Sequence, residues 1–180
     1  MNGFRSTAVA VGVVAASLVP STSYGASARW FTDARGDVPS SIDIQRVQVV
    51  NGSPGDPAVR VVVQVARLRA GDEVMVWLDT DRSHAGPEYL AGGIANSDAL
   101  GLGTIRSWES PAVPVTCPGF RMRADQFAVG ERASVRIPRS CLGNPDAVRV
   151  SVRTSRQRPG APTVRDFAPA RHRFYCWVPR

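Results

Sequence analysis

The stretch that decides the fold is AVRVVVQVARLRAGDEVMVWLD, residues 58–79. Its first half places a valine at every second position from Val59 to Val65, with Arg60 and Gln64 between them. Alternation of apolar and polar residues with a period of two is typical of a half-buried β-strand. We therefore predict a strand whose valines face a core and whose polar side chains face solvent.

The second half of the stretch predicts another strand, Glu73–Asp79, after a turn at residues 69–72. One face carries Val74, Val76 and Leu78, and the other carries Met75 and Trp77. A strand that is apolar on both faces is covered on both faces. We therefore predict that this strand is central in its sheet and that Trp77 is buried.

The same period of two recurs along the remaining chain. A change of phase after Ile44 predicts a bulge near Gln45–Arg46, and the NGSPGDP segment, residues 51–57, predicts a tight turn. One helical turn is expected at residues 139–142. About eight or nine short strands between turn signals favour an all-β fold, an antiparallel β-sandwich. Further strands are predicted at residues 89–94, 100–108, 112–116, 120–123, 133–137, 148–152 and 174–178.

The N-terminus has the features of a secretory signal peptide. Arg5 supplies a positive charge, an apolar run follows over residues 7–19, and Ala26 and Ala28 are small residues at the two positions that a signal peptidase reads. This order matches the three regions of a signal peptide, and the apolar run is shorter than the roughly 20 residues of a membrane span. We predict cleavage after Ala28, with Ala26 as the second choice, and residues 29–180 as one exported domain. Retention of the segment as an anchor is the alternative.

The charge of the chain is large and unevenly distributed. The net charge is +7, and every basic residue is arginine, a bias that a GC-rich bacterial genome explains. Residues 29–100 contain seven Arg against ten acidic residues, whereas residues 101–180 contain fourteen Arg against five. The high pI therefore gives little reason to expect nucleic acid. An exported basic protein does, however, meet anionic polymers and lipid headgroups.

The three cysteines, Cys117, Cys141 and Cys176, allow three pairings, each of which leaves one thiol. Export favours oxidation. We predict a Cys117–Cys141 disulfide, since both residues follow strands in loops, and its closure stabilises by roughly 3–4 kcal/mol on the chain-entropy model. Cys176 alternates with Phe174 and Val178, which predicts a buried free thiol in a terminal strand.

Two segments resemble a family of secreted β-sandwich modules. Residues 31–37 (FTDARGD) and 41–44 (SIDI) are similar to the opening strand region of DOMON domains and family-9 carbohydrate-binding modules. Residues 76–81 (VWLDTD) and 87–89 (PEY) resemble the central strand and following loop of those modules. The resemblance implies a jelly-roll-like sandwich that binds a ligand, commonly sugar or haem, often with a structural calcium ion.

Four carboxylates are candidate calcium ligands. Asp79 and Asp81 share one side of an extended chain. The loop carrying Asp33 and Asp37 would approach them if the first predicted strand, residues 42–49, ran antiparallel beside the third, Glu73–Asp79. A set of oxygen ligands without histidine or cysteine suits calcium better than zinc or copper. The alternative is that these acidic residues only solvate the end of a strand.

Five arginines are candidate ligands for an anionic polymer. We expect Arg136 to lie on a strand beside the one that carries Arg149 and Arg153, with Arg156 and Arg158 extending the patch. Guanidinium groups suit carboxylate, sulfate or phosphate because they donate in a rigid fork. The alternative is a sheet face made soluble by charge. The interleaved aromatics of a single-strand nucleic-acid surface are missing here, so no nucleic-acid partner is predicted.

No motif of a common hydrolase or phosphate-binding loop occurs in the sequence. We therefore predict a secreted, non-catalytic binding module, with carbohydrate the first candidate ligand and a cell-wall polymer or another extracellular protein as further candidates. Trp30, Trp77, Tyr89 and Trp108 are the aromatics available to contact a sugar. The alternative is a small secreted hydrolase that uses the carboxylates between Asp79 and Glu88, since glycosidases need a carboxyl pair.

Overall fold

The computed structural model describes residues 28–38, 42–124 and 132–180. The predicted signal segment up to residue 27 lies outside these ranges, and Ala28 begins the first strand. Two antiparallel sheets pack face to face as a β-sandwich. In the described ranges, no helix is long and apolar enough to cross a membrane.

The first sheet has five strands in the order β1-β2-β3-β9-β8. Their bounds are β1 Ala28–Thr32, β2 Ile44–Ser53, β3 Asp56–Val65, β8 Arg121–Ala124 and β9 Arg132–Pro138. Its inner face carries the alternating valines of β2 and β3, and Val47, Val49, Val61 and Val63 are fully buried. Arginine, glutamine and serine alternate with them on the outer face.

The second sheet follows the order β11-β10-β4-β5-β6-β7, and β12 pairs with β10. Its strands are β4 Glu73–Asp79, β5 Tyr89–Ile94, β6 Leu100–Thr104, β7 Val113–Pro114, β10 Ala147–Arg156, β11 Val164–Ala168 and β12 Val178–Pro179. The core between the sheets is made mainly of valine, with Ile44, Leu78 and Ile137 among its largest side chains.

The strands predicted from residues 58–79 are confirmed. Strand β4 lies between β10 and β5, which makes it central. Trp77 is only 6% exposed, on the outer face of β4, where Trp108 covers it. A register shift between Ile44 and Arg46 confirms the predicted bulge, and β2 and β3 form a hairpin around the predicted turn.

The disulfide and the helical turn are also confirmed. Cys117 and Cys141 are joined, with Cα atoms 5.8 Å apart, and Cys141 lies in a 3₁₀ helix, Arg139–Leu142. The prediction that Cys176 is buried is wrong, since this free thiol is exposed. Its segment is not a strand before Val178, because Phe174 and Trp177 instead pack on the Arg149 guanidinium.

Two strands, β1 and β11, were not predicted. Strand β1 is the edge of the first sheet and has only a partly buried Phe31 to mark its inner face. Strand β11 turns a charged residue, Asp166, inward. Neither segment therefore shows the apolar alternation that identifies a half-buried strand.

Candidate functional site

A cleft of about 510 Å³ lies on the outer face of the seven-stranded sheet. Its floor includes Trp77 of β4 and Ser151 of β10, which are direct cross-strand neighbours. Trp108, from the loop after β6, forms a wall, with its ring centroid 5.9 Å from that of Trp77 and an angle of 49° between the planes. Phe167 and Arg165, both on β11, line the opposite side.

The aromatic wall is held by the C-terminal segment. The Trp108 ring stacks on His172 at 5.3 Å and contacts Phe174 at 4.6 Å between centroids. Arg171 and His172 both contact the Glu109 carboxylate, at 3.0 and 2.9 Å. These contacts lower the pKa of Glu109. The C-terminal segment therefore holds the wall through contacts with both Trp108 and Glu109 of the same loop.

Three buried polar atoms of the cleft residues have no hydrogen-bond partner. They are Trp77 Nε1, Ser151 Oγ and Arg153 Nε. Trp77 is 6% exposed and Ser151 only 1% exposed. More than nine in ten buried polar groups in proteins are hydrogen-bonded, and leaving one unpaired costs about 1–3 kcal/mol. Three such atoms place polar groups directly beneath the surface of the cleft.

The charged groups of the cleft are mainly cationic. Arg153 is paired with Glu73 at 2.6 Å, and its guanidinium lies 5.4 Å from the Trp77 ring centroid. Arg165 has no ion pair with any residue that the structure describes. An aromatic wall and an exposed guanidinium can together bind a ring-containing, acidic molecule.

Sequence reasoning identified only part of this cleft. Trp77 and Trp108 were candidate sugar contacts, but nothing in the sequence joined them to Ser151, Arg165 or His172. The alternation in β10 shows that Ser151 lies opposite the valines. Only the pairing of β10 with β4 places it beside Trp77.

A separate group of carboxylates lies where the edges of the two sheets meet. Oxygen atoms of Asp33, Asp37 and Asp166 lie within 4.8 Å of one another. Asp166 is 2% exposed and accepts hydrogen bonds from the backbone N–H groups of Ile44, at 2.6 Å, and Phe167, at 2.7 Å. These bonds hold one carboxylate of the group rigidly.

Two carboxylates of this group have raised pKa values. Burial, together with the charges of Asp166 and Asp37, raises the pKa of Asp33 to about 7. Asp33 Oδ2 is buried without a hydrogen-bond partner. Burial, Asp37 and Asp43 likewise raise the pKa of Asp166. Carboxylate oxygens, one of which has no hydrogen-bond partner, suit a calcium ion. Calcium is also the ion that the resemblance implies.

The structure does not bring all four predicted calcium ligands together. Asp33 and Asp37 meet Asp166, but neither Asp79 nor Asp81 joins a three-carboxylate group among the described residues. Asp79 is fully buried and receives hydrogen bonds from Arg149, at 2.7 Å, and from the Asp81 backbone. The expected approach fails because β1 lies at the edge of the other sheet.

The carboxylates of the alternative hydrolase site are held by the protein itself. Asp81 accepts hydrogen bonds from the backbone and the side chain of Ser83. Glu88 accepts hydrogen bonds from Thr80, and burial raises its pKa. Asp79 is 0% exposed. A carboxylate without exposed surface cannot contact a sugar in this conformation.

The five predicted polymer-binding arginines do not form one patch. Arg136 lies on β9 of the five-stranded sheet, whereas Arg149, Arg153 and Arg156 lie on β10 of the other sheet. The expected adjacency of these strands is therefore wrong. Arg136, Arg149, Arg153 and Arg156 are ion-paired with Asp56, Asp79, Glu73 and Asp72, respectively. Arg158 is exposed in a loop.

The fold and the cleft define the chain as a two-sheet antiparallel β-sandwich with one disulfide and a ligand-sized aromatic cleft on one outer face. No protein-family model, no curated protein and no solved structure matches the chain. The resemblance to DOMON domains and family-9 carbohydrate-binding modules therefore stays a prediction.

Proposed function

We propose that this protein is a secreted, non-catalytic binding module whose cleft binds a carbohydrate that carries a carboxylate group. The observation that carries the proposal is the Trp108 wall beside Trp77, with the exposed Arg165 lining the same cleft. A pyranose ring offers an apolar face to an indole. The role of a cell-surface or extracellular binder follows the predicted signal peptide.

The acidic character of the sugar is inferred from the charges around the cleft. Arg153 and Arg171 already contact Glu73 and Glu109, respectively, while Arg165 has no such carboxylate partner among the described residues. A guanidinium binds a planar carboxylate through two parallel hydrogen bonds. A uronic acid residue that stacks on Trp108 would therefore find its carboxylate partner at Arg165.

Titration calorimetry with short oligosaccharides tests this proposal. The probes are trimers of galacturonate and glucuronate, each compared with its neutral counterpart, galactose or glucose. We expect at least one acidic trimer to bind more tightly than its neutral counterpart. Trp108→Ala should abolish binding, because it removes the wall, and Arg165→Gln should remove the preference for the acid.

Trp30→Ala is the matched control, because Trp30 is 44% exposed on β1 of the other sheet. This variant should bind the trimers as the wild-type protein does. Absence of binding to every trimer, or equal losses in the two tryptophan variants, would contradict the proposal. Turnover of a trimer would favour the hydrolase alternative.

A second proposal is a structural cation site formed by Asp33, Asp37 and Asp166. It is supported by the orphaned Asp33 Oδ2 and by the close approach of the three carboxylates. A bound calcium ion would supply only charge neutralisation and would join the edge of β1 to β11. The three side chains would hold it. A jelly-roll-like strand order, which the resemblance also implies, stays a prediction.

A further inference from the structure

The strands of the five-stranded sheet are almost free of acidic residues. Asp56 is their single carboxylate. The same strands contain seven arginines: Arg29, Arg46, Arg60, Arg121, Arg123, Arg132 and Arg136. All but Arg29 occupy positions that alternate with the buried core residues and therefore lie on the outer face. We call this surface the arginine face.

Three of these arginines lie side by side across neighbouring strands. Arg60 of β3 is opposite Arg136 of β9, and Arg136 is opposite Arg121 of β8. Neighbouring strands are about 4.8 Å apart, and like charges placed directly opposite are destabilising. Such a row costs folding stability, and this cost indicates a role other than holding the sheet together.

Ion pairs within the protein neutralise only some of these arginines. Asp56 contacts both Arg60 and Arg136, and these arginines lower the pKa of its carboxyl. Arg121 and Arg123 are exposed and make no ion pair with the described residues. Their charges are therefore available to an external anion.

The arginine face also has a shape that suits an extended ligand. A shallow groove of about 300 Å³ runs among Arg60, Arg121, Arg123 and Arg136, with Val62 and Ser134 in its lining. The single large exposed aromatic of this face, Trp30, lies at the edge strand, with the Arg46 guanidinium 4.5 Å from its ring centroid. The groove thus offers guanidinium groups along its sides, with Val62 and the aliphatic stems of the arginines between them.

We propose that the arginine face binds an extended anionic polysaccharide, one that repeats carboxylate or sulfate groups along its chain. The rigid forks of several guanidiniums suit such groups, and several contacts along one chain raise the overall affinity. A single-stranded nucleic acid would need stacking aromatics within the groove. No aromatic side chain lines the groove among the residues that the structure describes. A lipid surface would need apolar side chains that project and insert, and Val62 of the groove is half-buried.

The proposal is tested by measuring binding of the full chain to immobilised dextran sulfate, with uncharged dextran as the reference. We expect binding at low salt, none to uncharged dextran, and a loss of affinity as salt rises. Arg121→Gln combined with Arg123→Gln should weaken binding at least tenfold. Thermal melting should show that this double variant stays folded, because both side chains are exposed.

The matched control is Arg67→Gln combined with Arg69→Gln, which removes the same charge from two exposed loop positions. It should change the affinity less than twofold. Equal losses in the two double variants would show a net-charge effect and overturn the proposal, as would absence of binding at low salt. Tighter binding to oligothymidylate or to phosphatidylserine vesicles would also overturn it, in favour of those partners.

The arginine face is independent of the aromatic cleft, because the two lie on opposite outer faces of the sandwich. Trp108→Ala should leave dextran sulfate binding unchanged, and the Arg121/Arg123 double variant should leave binding of the acidic trimers unchanged. Each proposal can therefore fail without the other. Loss of both activities in either variant would contradict the separation of the two surfaces.

Discussion

The two outer faces of the sandwich use arginine in different ways. On the seven-stranded sheet, Arg149 and Arg153 each contact a carboxylate on the neighbouring strand β4. On the five-stranded sheet, one Asp56 serves two arginines, and Arg121 has no carboxylate partner among the described residues. The first arrangement stabilises the fold, and the second leaves charge available for a partner.

This difference shows why the net charge of a chain is a poor guide to its binding surface. The arginine-rich second half of the sequence contains both kinds of arginine. Those of β10 face carboxylates that come from the acidic first half, on β4 and the turn before it. Strand β8, which carries Arg121 and Arg123, pairs with β9, and β9 is itself basic. Strand pairing therefore determines which charges are neutralised.

The largest expected effect on stability comes from breaking an ion pair of the seven-stranded sheet, Arg149 with Asp79. Arg149→Met should lower the free energy of unfolding by about 3 kcal/mol, because it leaves the fully buried Asp79 without its cation. Urea denaturation measures this change. The loss should be smaller at pH 4 than at pH 8, since burial already raises the pKa of Asp79.

Arg121→Met is the matched control on the arginine face. It should change the free energy of unfolding by less than about 0.5 kcal/mol, because its side chain is exposed. Similar losses in the two variants would contradict the distinction between structural and available arginines.

The next largest effect concerns Asp33, Asp37 and Asp166, the carboxylates that lie where the edges of the two sheets meet. Without metal, the free energy of unfolding should fall as the pH rises from 5 to 8. The pKa of Asp33 is raised from 3.8 to about 7, so its stabilising proton is present at low pH and is lost as the pH passes 7. Calcium should raise the melting temperature by about 5 °C at pH 8, and less at pH 5, where protons compete.

Asp37→Asn should remove most of this calcium effect. Asp98→Asn, at an exposed turn residue, serves as the control and should keep it. Identical melting curves with calcium and with a chelator at pH 8 would contradict the cation site. The pH dependence would then stand alone as a property of the three carboxylates.

The smallest expected effect concerns the unpartnered hydroxyl in the cleft. Ser151→Ala should raise the free energy of unfolding by about 1 kcal/mol, because it removes a buried hydroxyl that has no partner. It should change the affinity for the acidic trimer less than twofold, because the Ser151 Oγ atom has no exposed surface. Denaturation and calorimetry on one preparation measure both.

Ser134→Ala is the control for Ser151→Ala, since Ser134 lies on the outer face of the five-stranded sheet. It should alter neither quantity. A Ser151→Ala variant that is less stable than the wild type would show that the hydroxyl makes a stabilising contact in the folded protein.

Much of the fold was predictable from local patterns. The valines of β2, β3, β4 and β10 alternate because one face of each strand lines the core, and this period does not depend on which strands pair. The bulge after Ile44 and the Cys117–Cys141 disulfide were also predictable. The candidate cleft was not predictable, because its residues come from five separate segments, and local sequence does not show which of these segments become neighbours.

The sequence by itself determined the fold class, the central position of β4 and the disulfide, because burial of alternate side chains and the chemistry of cysteine act over short distances. The tertiary structure alone decided that Asp166 joins Asp33 and Asp37, that Ser151 lies beside Trp77, and that Arg136 belongs to a different surface from Arg149. Each of these depends on which strands become neighbours. That choice is made by the packing of the whole core, and no single strand specifies it.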